Sequence, residues 1–368
     1  MKVCLLCTEI FAWGKYGGFG RSTRLLGKEL ARRGIQVSAV VPRRPGQRPV
    51  EELDGITVRS FLMHRPWEAS ALIRQSNADI CHSQHPSYST HLALRALPNS
   101  RHVVTFRDPK TTHDWMLELR SPTLNAARSA LVWWYETFRV QASIRRADAL
   151  ATCAEHIASK VKRVYGDSLE LRFLPSPIAV PENTPRKEKK PTVCFVARWD
   201  RRKRPELFFE IARLRPDVNF IAVGASADRR WDAELRSRYG GLPNVEMTGF
   251  LDQFADDSLA KVLDRSWILM NTASREGLPT AFLEALAHRC AVLSAVNPGG
   301  FTERFGYCVQ DGDFASGLDQ LLRNDTWAQK AQDGYAYVQA NFELTSSVDK
   351  HIELYQQLLS GRLPEEHS

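Results

Sequence analysis

A chain of 368 residues, 43% of them apolar, is long enough to bury two separate cores. Seven cysteines, an odd number, with Cys4, Cys194 and Cys308 in apparent strands, argue against a disulfide scaffold and for a reduced, cytoplasmic protein. The formal charge of +8 admits anionic partners, but no DNA- or RNA-binding motif accompanies it and no run of about eighteen apolar residues offers a membrane span.

Val3–Cys7 reads as a first strand, not as a signal peptide, since it lacks an apolar core and a cleavage site. Cys4 and Cys7, three apart on a strand, face opposite sides of the sheet and form no redox pair. Gly17-Gly18-Phe19-Gly20 then leads into a helix from about Arg21 to Arg33, with Ser22 or Thr23 as its cap, and Ile35–Val41 is the next strand. The loop is not a G-x-G-x-x-G fingerprint. Pro42-Arg43-Arg44 also stands where an NAD ribose would want an acid, which argues against a dinucleotide-dependent oxidoreductase.

Further strands fit residues 56–61, 79–82, 102–106 and 149–153, with a helical region at about 125–146. The stretch from Arg128 to Arg146, with Trp133-Trp134-Tyr135, is aromatic and basic enough to dock on a bilayer; a domain helix with a basic exposed face is the reading we favour. His82 and His85 have the spacing of a metal-ligand pair, but with no third group they read better as cleft-lining or capping residues.

Pro175-Ser176-Pro177 and the polar run Glu182–Pro191 mark a linker. Beyond it the strand–loop–helix–strand grammar repeats at 192–197, 206–214 and 219–224, with further strands at 245–248, 267–272, 291–296 and 307–309. Arg198 and Lys203 follow a strand's carboxyl end, where open α/β sheets bind ligands. Such cations suit phosphate oxygens, and Arg201, Arg202 and Arg204 read as a basic surface loop. Glu276 and Glu284 stand eight positions apart, one on a turn and one in the opening of an apolar helix. The unpaired N–H groups at that opening suit phosphate, and a carboxylate beside them suits vicinal hydroxyls. Asp311-x-Asp313 looks like a metal motif, yet Asp313 reads better as the cap of the helix 314–322.

Arg198-x4-Lys203, the Glu276-x7-Glu284 element, the Gly17-Gly18 loop, Thr248-Gly249-Phe250 and Asn297-Pro298-Gly299-Gly300 occur in the order found in glycosyltransferases of the family 4, group 1 type, which the chain resembles over nearly its whole length. The resemblance implies a GT-B architecture: two Rossmann-like doubly wound domains facing across a cleft. The acceptor domain would span residues 1–180 with a returning helix at 345–360, and the donor domain 190–344. It implies a retaining, metal-independent hexosyltransferase that takes a UDP- or GDP-sugar donor and a glycan, lipid-linked or small-molecule acceptor. A cytoplasmic protein with peripheral contact to the inner membrane face would fit.

On this resemblance Arg198 and Lys203 hold the diphosphate, with Gly17 and Gly18 facing it, and act catalytically with Glu276. Glu284 binds the ribose, the N–H groups of Thr280 and Ala281 meet phosphate, and Gly277 and Leu278 line the sugar pocket beside Glu276. No metal, cofactor or nucleic acid is implied. Arg107-Asp108 replaces the family's usual His after the strand at 102–106, so Arg107, Asp108 and His82 are the acceptor-side candidates. Arg289 stands where the family has Gly, read here as a surface turn without effect on activity. An inactive nucleotide-sugar-binding protein and an epimerase of the same fold are the alternatives.

Overall fold

The apolar runs become two separate sheets in the computed structural model, which describes residues 1–14, 16–112, 114–116 and 139–361. Contacts divide the chain into Met1–Pro177 with the segment from Thr345 onward, and Ile178–Leu344. Residues 125–138 of the expected helical region, with Arg128 and Trp133-Trp134-Tyr135 among them, lie outside the described residues.

In the first unit the strands are β1 (Lys2–Leu6), β2 (Gln36–Pro42), β3 (Val50–Leu53), β4 (Ile56–Phe61), β5 (Ile80–Ser83), β6 (Arg101–Phe106), β7 (Ala149–Thr152) and β8 (Arg172–Phe173). Their order is β3-β4-β2-β1-β5-β6-β7-β8, parallel except for the β3–β4 hairpin. Asp54-Gly55 closes that hairpin with positive φ at both residues (52° and 81°), the backbone that a two-residue primed turn needs. The chain leaves β1 toward β2 on one side and later returns to β5 on the other. The β1/β5 boundary is therefore a switch point, where loops diverge and leave a crevice.

Two local expectations are corrected. The first long helix spans Gly18–Arg32, so Ser22 and Thr23 lie inside it, donating to the carbonyls of Gly18 (3.2 Å) and Phe19 (2.8 Å) rather than capping. His82 is fully buried in β5, with Nδ1 2.6 Å from the Tyr355 hydroxyl and Nε2 2.8 Å from Thr105 Oγ1. Both ring nitrogens are spent inside the unit, so His82 faces no acceptor. It fastens the Leu344–Ser360 helix to the sheet, helped by an Arg33–Asp349 ion pair.

The second unit holds β9 (Thr192–Val196), β10 (Asn219–Val223), β11 (Val245–Gly249), β12 (Ile268–Asn271), β13 (Ala291–Ser294) and β14 (Gly306–Cys308), all parallel, in the order β11-β10-β9-β12-β13-β14. Phe195, Phe208, Phe209 and Phe220 pack edge-on and tilted in its core, with ring centroids 5.3–5.6 Å apart. Here the switch point falls between β9 and β12. Lys187 pins the linker to this unit, its ammonium donating to the carbonyls of Leu263 (3.2 Å), Ser266 (2.5 Å) and His288 (2.6 Å) at two helix C-termini.

Candidate functional site

Arg198 and Lys203 lie in the loop after β9, and Glu276 in the loop after β12, so the second unit's switch point brings them to one place. The loop after β9 is held from within by Asp200. Its carboxylate accepts from the backbone N–H groups of Arg202 and Lys203, both at 3.2 Å, and its carbonyl accepts from Lys203 N–H at 2.9 Å. The other carboxylate oxygen lies 3.7 Å from Arg198 Nη2.

Arg204 then takes a left-handed φ of 48° just before Pro205 opens the Pro205–Leu214 helix. Its guanidinium donates to the carbonyls of Thr272 (2.6 Å) and Ala273 (3.4 Å). The Thr272 hydroxyl reaches back to the carbonyls of Lys203 (2.6 Å) and Arg204 (2.9 Å), and Ser274 N–H to that of Arg202 (3.1 Å). The two switch-point loops are thus stitched together by backbone and side-chain bonds, and the cations ride on a fixed base.

Lys203 pairs directly with Glu276, whose Oε1 also accepts from Asn271 Nδ2 at 3.3 Å. Arg198 is exposed, while Gly277, Leu278, Thr280, Ala281 and Glu284 are half-buried. The Thr280–Ala287 helix begins after Pro279, which supplies no side-chain cap, so its first N–H groups point toward the loop that carries Glu276. Glu284 is the fifth residue of that helix, one turn in.

Sequence reasoning missed Asp200 and reduced Arg204 to surface charge. The Asp-x-x-Lys spacing of a side chain bonding its own following turn was the available signal for Asp200. Nothing local marks Arg204, because its partners lie 68 and 69 positions away. Arg201 instead stacks on Trp231, 4.1 Å from the ring centroid.

The first unit places Gly17 and Gly18 at the start of the Gly18–Arg32 helix, but the space left by Gly17's missing side chain is taken. A Cβ on Gly17 would meet Glu9 Oε1 at 2.1 Å, and the same oxygen accepts from Gly20 N–H at 3.1 Å. The glycine admits a carboxylate of the chain itself, which complements the positive end of the helix.

Arg107 is buried, donating to Gln84 O (2.9 Å), Gln84 Oε1 (2.7 Å) and Ser176 Oγ (2.6 Å), all neutral acceptors; burial lowers its pKa. Lys160 bridges Asp108 and Asp114 at 2.9 Å each. Asp313 does cap its helix, accepting from Ser316 N–H at 3.0 Å. Among the described residues no three His, Cys, Asp or Glu side chains are grouped to hold a metal ion.

Residues 16–180 match the model of Glycosyltransferase Family 4 and residues 179–336 that of Glycosyl transferases group 1. The two matches run end to end over most of the sequence, and the chain belongs to the group 1 glycosyltransferases with the GT-B fold. No curated protein is significantly similar to it in sequence.

Among solved structures it is similar to sucrose-phosphate synthase from Thermosynechococcus elongatus (TM-score 0.73, 17% identity, 98% of this chain and 99% of that one). It is similar to HepE of Anabaena in complex with UDP-glucose (0.68, 13%, 97% and 100%). The catalytic domain of starch synthase IV from Arabidopsis thaliana, bound to ADP and acarbose, is also similar (0.66, 15%, 98% and 99%).

Proposed function

We propose that the chain is a retaining glycosyltransferase that moves a hexose from a UDP- or GDP-sugar to a glycan, lipid-linked or small-molecule acceptor, without a metal. The observation that carries this reading is the stitched pair of loops that sets Arg198, Lys203 and Glu276 at one switch point, with the Thr280–Ala287 helix start beside them. Arg198 and Lys203 would hold the donor diphosphate, met by the N–H groups of Thr280 and Ala281. Glu284 would bind the ribose diol, and Glu276, Gly277 and Leu278 the sugar.

In the reaction the bond from the anomeric carbon to the leaving phosphate oxygen breaks while the acceptor oxygen bonds on the same face. The acceptor proton passes to the departing phosphate. Arg198 and Lys203 stabilise the charge that builds on the diphosphate, as a fixed electrostatic cradle does. Because Lys203 is paired with Glu276, each ion holds the other in place before a donor arrives. HepE is seen with UDP-glucose and the starch synthase with ADP, so relatives of this fold differ in base.

A thermal-shift screen against UDP, GDP, ADP, dTDP, NAD and their sugar conjugates, with Glu284→Ala alongside, tests the reading. A nucleoside diphosphate at about a hundred times its Kd adds about 2.7 kcal/mol of stability, several degrees of melting temperature. Stabilisation by one such nucleotide, lost in the variant, supports the donor site. A response to NAD alone, or to nothing, sinks it; binding with no sugar transfer would favour an inactive binding protein, and conversion of the donor without an acceptor an epimerase.

A further inference from the structure

The first unit has its own switch point, where the start of the Gly18–Arg32 helix brings Phe19 and the loops after β5 and β6 bring His85, Arg107 and Asp108. The rings of Phe19 and His85 lie 5.7 Å apart, tilted by 35°, and the Arg107 guanidinium sits 5.9 Å from the Phe19 centroid. The His85 ring is partly exposed, yet its Nδ1 is buried with no hydrogen-bond partner among the described residues. Buried polar atoms are almost always partnered, so an orphaned ring nitrogen beside an aromatic face at a switch point is a place for a ligand's hydrogen bond.

We propose that His85 is a specificity-determining residue of the acceptor subsite, hydrogen-bonding a hydroxyl of a saccharide that packs against Phe19. The inference rests on the transferase reading above and adds to it a residue that the family motif does not mark.

The surroundings select a hydroxyl over an anion. Burial pushes His85 down to about 4, with Asp108 opposing and Lys110 and Arg107 assisting the shift. At neutral pH the ring is uncharged and offers one donor and one acceptor, the two functions a sugar hydroxyl matches. The neighbouring charges are already committed: Arg107 to Gln84 and Ser176, Asp108 to Lys160. His82 lies in β5 and His85 two residues beyond its end; the first locks the core, and the second keeps a ring nitrogen without a partner.

The test uses the full chain with His85→Phe, which keeps a ring against Phe19, and His85→Gln, which restores a neutral donor and acceptor. Affinity for UDP, GDP and ADP is measured by calorimetry, and nucleoside diphosphate release with maltose and glucose 6-phosphate as probe acceptors. We expect His85→Phe to keep nucleotide affinity while kcat/KM for the acceptor falls by about tenfold, mostly through KM, with His85→Gln recovering to within about threefold of wild type. Wild-type kinetics in His85→Phe, or loss of nucleotide binding along with turnover, overturns the proposal.

Should the wild-type chain bind no nucleotide, the transferase reading fails by itself, and His85 is judged on its ring nitrogen resonances in histidine-labelled protein. A shift on adding maltose or glucose 6-phosphate supports a saccharide subsite, and an unmoved resonance refutes it.

Discussion

The β9/β12 switch point of the second unit and the β1/β5 switch point of the first arise from the same strand–loop–helix grammar, yet they are furnished in opposite ways. In the second, charged side chains stand at or near the surface on loops tied to each other, with Arg198 exposed and Lys203 and Glu276 neutralising one another. In the first, Arg107 is sunk against an amide, a carbonyl and a hydroxyl, His85 is uncharged beside Phe19, and Asp108 is already paired with Lys160. The second unit's arrangement suits an ionic ligand, since charge near solvent is held ready at little desolvation cost. The first unit's arrangement suits hydroxyls.

The largest effect that separates the two units is acid sensitivity. Burial lowers the pKa of His82, His85, His91, His102 and His351 in the first unit; in the second, among the described residues, only His288 is lowered. His351 is pushed down to about 4, chiefly by burial, with the bond to the Ser347 carbonyl opposing and Arg107 assisting. As pH falls through the ordinary histidine value of about 6.5, the unfolded chain takes up protons that the folded unit refuses until about pH 4. Stability is therefore complete above about pH 6.5 and lost progressively below it, on the order of 3 kcal/mol from His351 alone. Hydrogen exchange at pH 7 and pH 5, corrected for intrinsic rates, should show residues 1–177 losing protection first. Earlier opening of residues 178–344 would break the contrast.

The second unit has a stability hinge of its own in Lys187. Replacing it with Met removes the donor that the carbonyls of Leu263, Ser266 and His288 share at two helix ends, and with it the cation that favours them. A loss of about 3 kcal/mol is expected, read by chemical denaturation. The same ammonium and a hydrogen bond from Cys194 bring the Cys290 thiol down to about 7 despite its burial, so in Lys187→Met that thiol should titrate higher. An unchanged denaturation midpoint would mean that the linker is held by something else.

Much of this was legible in the sequence because it is local. Each strand from β9 to β14 overlaps a segment that the sequence marks as a strand, and the spacing of Arg198, Lys203 and Glu276 is what the two switch-point loops bring together. What stayed hidden depends on side chains that meet across the fold. Gly17 looks like a phosphate-binding glycine, and nothing in its neighbourhood says that Glu9 fills the space. His82 looks like a cleft residue until Tyr355, 273 positions on, closes over it. The short β3 escaped notice because Val50–Leu53 carries two glutamates and reads as polar; the Asp54-Gly55 turn was the overlooked signal.

Charge removal sharpens the comparison at the next level down. Glu284→Ala and Lys203→Ala should each weaken nucleoside diphosphate binding by about 1.5–3 kcal/mol, roughly ten- to a hundredfold, with folding intact. Wild-type affinity in both would remove the donor site from the second unit. Asp200→Ala should act in the same assay but less, about 1 kcal/mol, because it loosens the turn that carries Lys203 without removing a charge.

The smallest expected effect concerns whether the donor-side helix is built for stability as well as for binding. Just beyond the Thr280–Ala287 helix, Arg289 holds a φ of 54°, a left-handed backbone that glycine adopts freely and arginine does not. Its guanidinium recovers part of that cost by lying 4.3 Å from the centroid of Tyr335. Arg289→Ala loses the stacking and keeps the strain, whereas Arg289→Gly loses both. Glycine should therefore be more stable than alanine here by about 1 kcal/mol and close to the wild type, with nucleotide affinity the same in all three. If alanine matched glycine, the backbone would carry no strain worth relieving. If either variant changed nucleotide affinity, the helix end would be coupled to the donor site, and the division between a prebuilt scaffold and its charged tips would not hold for the second unit.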